Sequence, residues 1–175
     1  MPNPRKIFFM DRDGVINKEV GYLHQISKFI FIDGVINAMK KVISKDYSII
    51  VVTNQSGIGR GLYQVEDYKK LNTWMIKSLK NEGIEILDTF FCPHKPEDKC
   101  SCRKPAPGMF FDAFSKYSID IDKSWMIGDK EADITAARLA GINNTALVRS
   151  GHRINEEESK AKYIINSASD VLKFI

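Results

Sequence analysis

No apolar run in this chain approaches the roughly 18–20 residues that a membrane-spanning helix needs. The stretch from Met1 to Lys6 is short and polar, and the apolar run behind it, Ile7 to Met10, is too short for a signal-peptide core. A cytoplasmic protein with no membrane association is the expectation. Strong charge of one sign is lacking too. The formal net charge is +4, which attracts acidic ligands but is too small to argue for nucleic acid. There is no arginine-rich stripe and no series of spaced aromatics on which bases could stack. Cysteine is scarce: its three residues all fall between Cys92 and Cys102, and an odd, tight cluster makes a poor disulfide framework. Repeats, low-complexity tracts and long linkers are absent. The 175 residues therefore read as one domain, 1–175, with a single core, and as a monomer.

What the sequence does contain is an ordinary globular composition, 43% hydrophobic and 27% charged, arranged as alternating strand-like and helix-like segments. Ile7–Met10 reads as a strand. Gly34–Ser44 carries Val35, Ile36, Met39, Val42 and Ile43 at helical spacing. Ser48–Val52 is apolar on both faces, as a central parallel strand should be. Val65, Tyr68, Leu71, Met75 and Leu79 make one stripe of a helix from about Gln64 to Glu82, and Ile86–Phe91 is the next strand. Pro107 opens a helix whose buried face is Met109, Phe110, Ala113, Phe114 and Tyr117. Trp125–Ile127, a helix over Glu131–Ala140, Thr145–Val148 and an edge strand at Tyr163–Ile165 complete the alternation. Ser167 with Asp170 resembles a capping box opening a last short helix. This order predicts an α/β fold, a doubly wound and mostly parallel sheet with helices on both faces. Ligands in such folds sit beyond the carboxyl ends of the strands.

The residues at those ends are polar and chemically matched. Asp11-Arg12-Asp13-Gly14 follows the first strand and Thr53-Asn54-Gln55-Ser56-Gly57 the second. Cys102-Arg103-Lys104-Pro105 precedes the Pro107 helix. Gly128-Asp129-Lys130 follows the fourth strand, with Asp133 four residues beyond Asp129. A lone DxDG is often only a turn; the ordered set is far more specific. Phosphoryl transfer needs an in-line nucleophile, charge neutralisation and an acid for the leaving oxygen. Asp11 can attack phosphorus and form an aspartyl phosphate. Asp13 lies close enough to protonate the leaving alkoxide and later deprotonate water. Mg²⁺ takes oxygen ligands, which Asp11 and Asp129 supply as carboxylates and Asp13 as its backbone carbonyl. Thr53 and Lys104 can hold the equatorial phosphoryl oxygens. Asp133 reads equally as an orienter of the metal site or as a first-turn helix acid.

DRDG, TNQS, CRKP and GDK in this order resemble the haloacid dehalogenase (HAD) superfamily. More narrowly, the stretches DRDGVIN, VVTNQSGIGRG and CRKPAPGM are similar to the D-glycero-D-manno-heptose 1,7-bisphosphate 7-phosphatases and the related histidinol-phosphate phosphatases. The likeness runs from the first strand to about Arg149. It implies Asp11 as nucleophile, Asp13 as acid and base, Thr53 and Lys104 as phosphoryl stabilisers, and Asp129 as a magnesium ligand. It places substrate contacts on Glu19, Val20, Gly21, Tyr22, Asn54, Gln55, Ser56, Arg103 and Lys130, with Arg60 added from the GIGRG run. The implied reaction removes the C7 phosphate of the heptose bisphosphate in nucleotide-activated heptose synthesis for surface polysaccharide, that is, lipopolysaccharide. Histidinol phosphate is the alternative substrate. A zinc-stabilised protein acting on polynucleotide ends is a second alternative, disfavoured by the missing nucleic-acid surface.

Only 39 residues separate Asp13 from Thr53 and 50 separate Thr53 from Lys104. Helices, a strand and loops use up both intervals, so no cap domain fits. Lys18–Ile26 and the cysteine loop are expected to form the rim and select the substrate. That loop offers Cys92-x-His94 and Cys100-x-Cys102, a Cys₃His set suited to a closed structural Zn²⁺ site, with a shorter spacer than the resemblance leads one to expect. Zinc there would fix Arg103 and Lys104, which directly follow. Arg103 could grip a second phosphate bidentately. His24 and His152 read as surface or loop residues without catalytic partners.

Overall fold

In the computed structural model, which describes residues 3–175, six parallel strands form one sheet in the order β3-β2-β1-β4-β5-β6. The strands are β1 (Lys6–Met10), β2 (Tyr47–Asn54), β3 (Ile86–Cys92), β4 (Trp125–Gly128), β5 (Asn144–Val148) and β6 (Tyr163–Ile165). The helices are α1 (Val35–Ser44), the four-residue α2 (Ser56–Gly59), α3 (Val65–Asn81), α4 (Gly108–Lys116) and α5 (Glu131–Leu139). Side chains alternate across a strand, and the core divides accordingly. Phe8, Met10, Ile49, Val51 and Ile127 face α1 and α3, meeting Met39, Val42, Leu71, Met75 and Leu79. Ile7, Phe9, Ile50, Val52 and Met126 face α4 and α5, meeting Met109, Phe110, Ala113, Ala136 and Ala137. This is the doubly wound sheet that the alternation predicts. No helix among the described residues is long and apolar enough to cross a membrane.

Several boundaries differ from those expected. β2 runs past Ser48–Val52 at both ends because it pairs with β1 on one side and β3 on the other. The long helix starts at Val65, with the Gln64 N–H donating to the Asp67 carboxylate at 2.9 Å. Pro107 precedes rather than opens α4. The last short helix is a 3₁₀ segment, Ala168–Lys173. Ser167 does not cap it: its hydroxyl pairs with Ser169 at 2.7 Å, and Asp170 accepts from the Asn166 N–H at 3.2 Å. The short α2 has no apolar periodicity and is not foreshadowed by the sequence pattern.

Chain order reverses between β1 and β4. From β1 the chain winds outward to β2 and β3, then returns to the other side of β1. The crevice at such a switch point is where a parallel sheet can admit a ligand. Asp11 directly follows β1 and Asp129 directly follows β4 at that point, and the Asp11 N–H donates to Ile127 O at 2.9 Å.

Candidate active site and thiolate cluster

A cavity of about 390 Å³ opens over this switch point. Asp11, Asp13, Lys104, Asp129 and Asp133 lie on its floor, and Glu19, Tyr22, Arg60, Arg103, Lys130 and His152 around them.

Lys104, only 3% exposed, joins the floor together. Its ammonium sits 3.1 Å from Asp11 Oδ1 and 2.6 Å from Asp133 Oδ1, and donates to Val52 O at 2.7 Å. Burial works against its charge, but the two carboxylates outweigh that and hold it above the ordinary lysine value. Asp11 Oδ1 also accepts from the Arg12 N–H at 2.8 Å. Burial raises the Asp11 carboxyl to about 7; Lys104 pulls it down, while Asp133 and Asp13 push it further up. One lysine thus faces more carboxylate charge than it neutralises. Asp129 is raised for the same reasons, burial first and then Asp11. Its Oδ1 is buried without a partner. Carboxylate oxygens of Asp11, Asp129 and Asp133 come within 4.8 Å of one another. A surplus of negative charge, an orphaned carboxylate oxygen and hard oxygen donors fit a divalent cation such as Mg²⁺. Asp133 takes the place of a first-turn helix acid, its Oδ2 accepting from the Lys130 N–H at 3.0 Å at the start of α5, while its Oδ1 holds Lys104.

Asp13 is surrounded by donors. Arg12 Nη2 reaches both of its oxygens at 3.0 Å, Asn17 Nδ2 donates to Oδ1 at 3.0 Å, and Gln55 Nε2 to Oδ2 at 3.1 Å. Arg12 is the largest fully buried side chain. It also donates to Leu23 O of the rim at 2.9 Å and lies over the Tyr68 ring. Gln55 Nε2 donates to Thr53 Oγ1 at 2.8 Å, and the Tyr63 hydroxyl donates to Gln55 Oε1 at 2.6 Å. His24 stacks on Tyr63 at 4.8 Å.

Two expected contacts differ. Thr53 does not line the cavity: it is 1% exposed and lies beneath the Gln55 amide. Val20 is 49% exposed and does not line the cavity that Glu19, Gly21 and Tyr22 line. The other expected substrate contacts, Asn54, Gln55, Ser56, Arg60, Arg103 and Lys130, do line it. His152 is a half-exposed loop residue, as expected, but it has a partner that the sequence does not show: its Nδ1 is 2.6 Å from Asp129 Oδ2. Arg12, Tyr63 and His152 carry no motif of their own. The Ser150-Gly151-His152 turn after β5 could have been sought from strand order alone, since β5 ends beside β4.

At the end of β3 the cysteine loop brings Cys92, His94, Cys100 and Cys102 together. The sulfurs lie 2.9–3.5 Å apart and His94 Nδ1 is 3.3 Å from Cys102 Sγ, slightly inside the roughly 3.7 Å edge of a zinc–thiolate tetrahedron. The cysteines are free thiols. Burial raises Cys92 and Cys102. Burial also opposes ionisation of Cys100, but the Arg103 backbone N–H and the neighbouring thiols bring it down to about 7. The soft, closed donor set fits Zn²⁺. The loop is tied to the segment after β2 and to α2: Gln55 N–H donates to Cys92 O at 2.7 Å and Gly59 N–H to Pro93 O at 2.9 Å. Asn54 pairs with both the N–H and the C=O of Lys104, at 3.1 and 3.0 Å.

Residues 101–171 match the HAD-hydrolase-like family model. The chain is 46% identical to a D-glycero-beta-D-manno-heptose-1,7-bisphosphate 7-phosphatase of Photorhabdus laumondii, across 95% of this chain and 93% of that protein. It is also 46% identical to a D-glycero-alpha-D-manno-heptose-1,7-bisphosphate 7-phosphatase of the same organism, across 91% of each. A D,D-heptose 1,7-bisphosphate phosphatase from B. bronchiseptica, solved with magnesium and phosphate, superposes with a TM-score of 0.84 at 29% identity, covering 96% of each chain.

Proposed function

Because the chain belongs to the heptose-1,7-bisphosphate 7-phosphatase family of HAD-like hydrolases, we propose that it hydrolyses the C7 phosphate of D-glycero-D-manno-heptose 1,7-bisphosphate. The observation that carries this reading is the convergence of Asp11, Asp13, Lys104 and Asp129 in one cavity at the switch point. Residues 1–175 act as one domain without a cap, in the cytoplasm, supplying nucleotide-activated heptose for surface polysaccharide.

Asp11 attacks phosphorus through Oδ2, the oxygen not taken by Lys104 and the Arg12 N–H. The new bond is Asp11 O–P and the bond broken is P–O to C7. Asp13 gives its proton to the departing alkoxide. In the second half Asp13 takes a proton from water, which attacks phosphorus and releases inorganic phosphate and free Asp11. Lys104 holds a transferring oxygen while keeping Asp11 and Asp133 in place. The Thr53 hydroxyl, beneath the cavity, accepts from the Gln55 amide and so holds that amide where it also reaches Asp13. Mg²⁺ would be held by Asp11, Asp129 and the Asp13 carbonyl, and when bound neutralises charge on the phosphoryl group. Cys92, His94, Cys100 and Cys102 would hold Zn²⁺, which when bound would fix the loop that carries Arg103 and Lys104.

Arg103 donates to His94 O at 3.2 Å, so its guanidinium is tethered to the cysteine loop and faces the cavity. There it meets the C1 phosphate and sets the preference for a bisphosphate. Arg103→Ala should lower that preference about tenfold; an unchanged ratio of bisphosphate to monophosphate turnover removes the role.

The deciding assay is phosphate release with Mg²⁺ from both anomers of heptose 1,7-bisphosphate, fructose 1,6-bisphosphate, histidinol phosphate and a 3′-phosphorylated oligonucleotide. Preference for a heptose bisphosphate by orders of magnitude in kcat/KM, abolished by Asp11→Asn, supports the reading. Preference for histidinol phosphate keeps the mechanism and replaces the substrate. Release that does not depend on Asp11 overturns the catalytic assignment.

A further inference from the structure

The Asp129 carboxylate is held by a part of the chain outside the strand-end motifs. Asp129 is fully buried. One of its oxygens, Oδ2, accepts two hydrogen bonds from the turn after β5: the His152 backbone N–H at 2.9 Å and His152 Nδ1 at 2.6 Å. The other, Oδ1, is buried with no donor. The carboxylate lies between two glycines, and a Cβ on either Gly14 or Gly151 would collide with Oδ2 and its carbon. Gly14 has φ +83 and suits its turn in any case, whereas Gly151 has no left-handed φ, so space alone excludes a side chain there. The turn is itself fastened. Ser150 Oγ donates to Gly14 O at 2.8 Å, and Arg149, whose N–H donates to Ile165 O at 3.0 Å, pairs with Glu156 at 2.6 and 2.8 Å.

We infer that the Ser150-Gly151-His152 turn is a positioning device that fixes the Asp129 carboxylate so that only Oδ1 is presented to the catalytic cation, with His152 as its principal donor. The inference rests on the reading of Asp129 as a ligand of the cation. The physical reason is the role played by donors behind metal-bound carboxylates. A carboxylate with both oxygens free can rotate or bind through either, and each lost orientation weakens the metal. Holding one oxygen from behind removes that freedom, and loss of such a donor commonly costs about 10–100-fold in metal affinity. Here the backbone N–H remains when the imidazole is removed, so the loss should sit at the lower end.

The test is titration of the zinc-loaded protein with Mn²⁺, followed by the EPR signal of free Mn²⁺, on wild type, Asp129→Asn, His152→Ala, His152→Asn and Gly151→Ala. An asparagine amide can take the place of an Nδ1–H donor. The inference expects about tenfold weaker Mn²⁺ binding in His152→Ala, recovery to within about threefold in His152→Asn, and the weakest binding of the three turn variants in Gly151→Ala. Activity of His152→Ala lost at low Mg²⁺ should return when Mg²⁺ is raised, and its metal-free Tm should stay that of wild type. Mn²⁺ binding in His152→Ala within twofold of wild type, while Asp129→Asn loses binding, overturns the inference alone. Equal weakening in His152→Ala and His152→Asn also overturns it. Retained Mn²⁺ binding in Asp129→Asn overturns the reading of Asp129 as a ligand, and the inference with it.

Discussion

Two clusters of metal-type donors stand on the same edge of the sheet, and they are built in opposite ways. The carboxylates at the ends of β1 and β4 and in the first turn of α5 are all buried. They face a cavity, hold a lysine among them, and leave one oxygen without a partner. Of the thiols and imidazole at the end of β3, Cys92 alone is buried, and the four use their donors on one another. Hard oxygens with an open side suit a cation that must also meet a phosphate; soft sulfurs in a closed set suit one that never does. The first cluster sits on strand ends, whose positions the sheet fixes. The second sits on a loop that has no apolar anchors of its own. Lys104 connects them, two residues from Cys102 in sequence and in contact with Asp11 in space.

This contrast can be broken in several places. The largest effect is expected from Asp11→Asn, which should lower kcat by at least about 10⁴-fold while zinc content by elemental analysis stays at one per chain; parallel loss of zinc would show that the clusters are not independent. Arg12→Met removes the buried guanidinium from Asp13. It should lower kcat on an alkyl phosphate by about 10²-fold with little change in KM. On an aryl phosphate, whose leaving group needs no proton, a burst of one phenol per chain should survive while later turnover stays slow, because Asp13 must still deprotonate water. Loss of the burst as well would mean that Arg12 serves folding only. Cys100→Ser should reverse the pattern, raising KM more than it lowers kcat. It should also lower Tm by about 10 °C, the scale expected if the site contributes a few kcal/mol; a thermal melt and a kinetic run decide it.

A smaller effect separates the clusters by pH. Asp11 is raised from 3.8 to about 7 without a cation. Between those values the folded, metal-free protein holds a proton that the unfolded chain releases. Its stability from this group is therefore present at low pH and is lost as pH rises toward 7. A cation must displace that proton, so Mg²⁺ affinity should fall by roughly tenfold from pH 8 to pH 6, measured by calorimetry. Asp11→Asn should flatten the dependence. The smallest effect expected is that of Val20→Ala, on the exposed outer side of the rim, with kcat/KM and Tm close to wild type; a clear change in either would restore Val20 to the substrate surface.

The sheet was legible because its strands are short apolar runs and its helices carry apolar stripes, both local patterns. Asp11, Asp13 and Asp129 stood out as candidates because each stands just beyond a parallel strand; Lys104, in the loop before α4, stood out only through its place in the ordered set of motifs. The residues that orient them were not. Arg12 reads as a spacer between two aspartates, although tertiary structure buries it completely. Tyr63 reaches the site only because α2 turns it back onto Gln55, and α2 itself has too few residues for a period. His152 meets Asp129 from 23 positions away, and no spacing rule encodes that. Ser167 failed as a cap because the neighbouring Ser169 hydroxyl competes for it. In each case a few hydrogen bonds or ion pairs decide, and these leave no periodic trace.

The paired bonds between the Asn54 side chain and the Lys104 main chain copy what a neighbouring strand would offer. With Gln55 to Cys92 and Gly59 to Pro93, they fasten the cysteine loop at its two ends and leave its middle alone. Residues 95–99 form a self-contained turn, its Lys95 N–H held by Asp98 at 3.0 Å, with Glu97, Asp98 and Lys99 exposed. The length of that turn is thereby uncoupled from the position of the lysine beside the nucleophile. Chains of this architecture can lengthen or shorten the segment, and so reshape the mouth of the cavity, without retuning the chemistry beneath it.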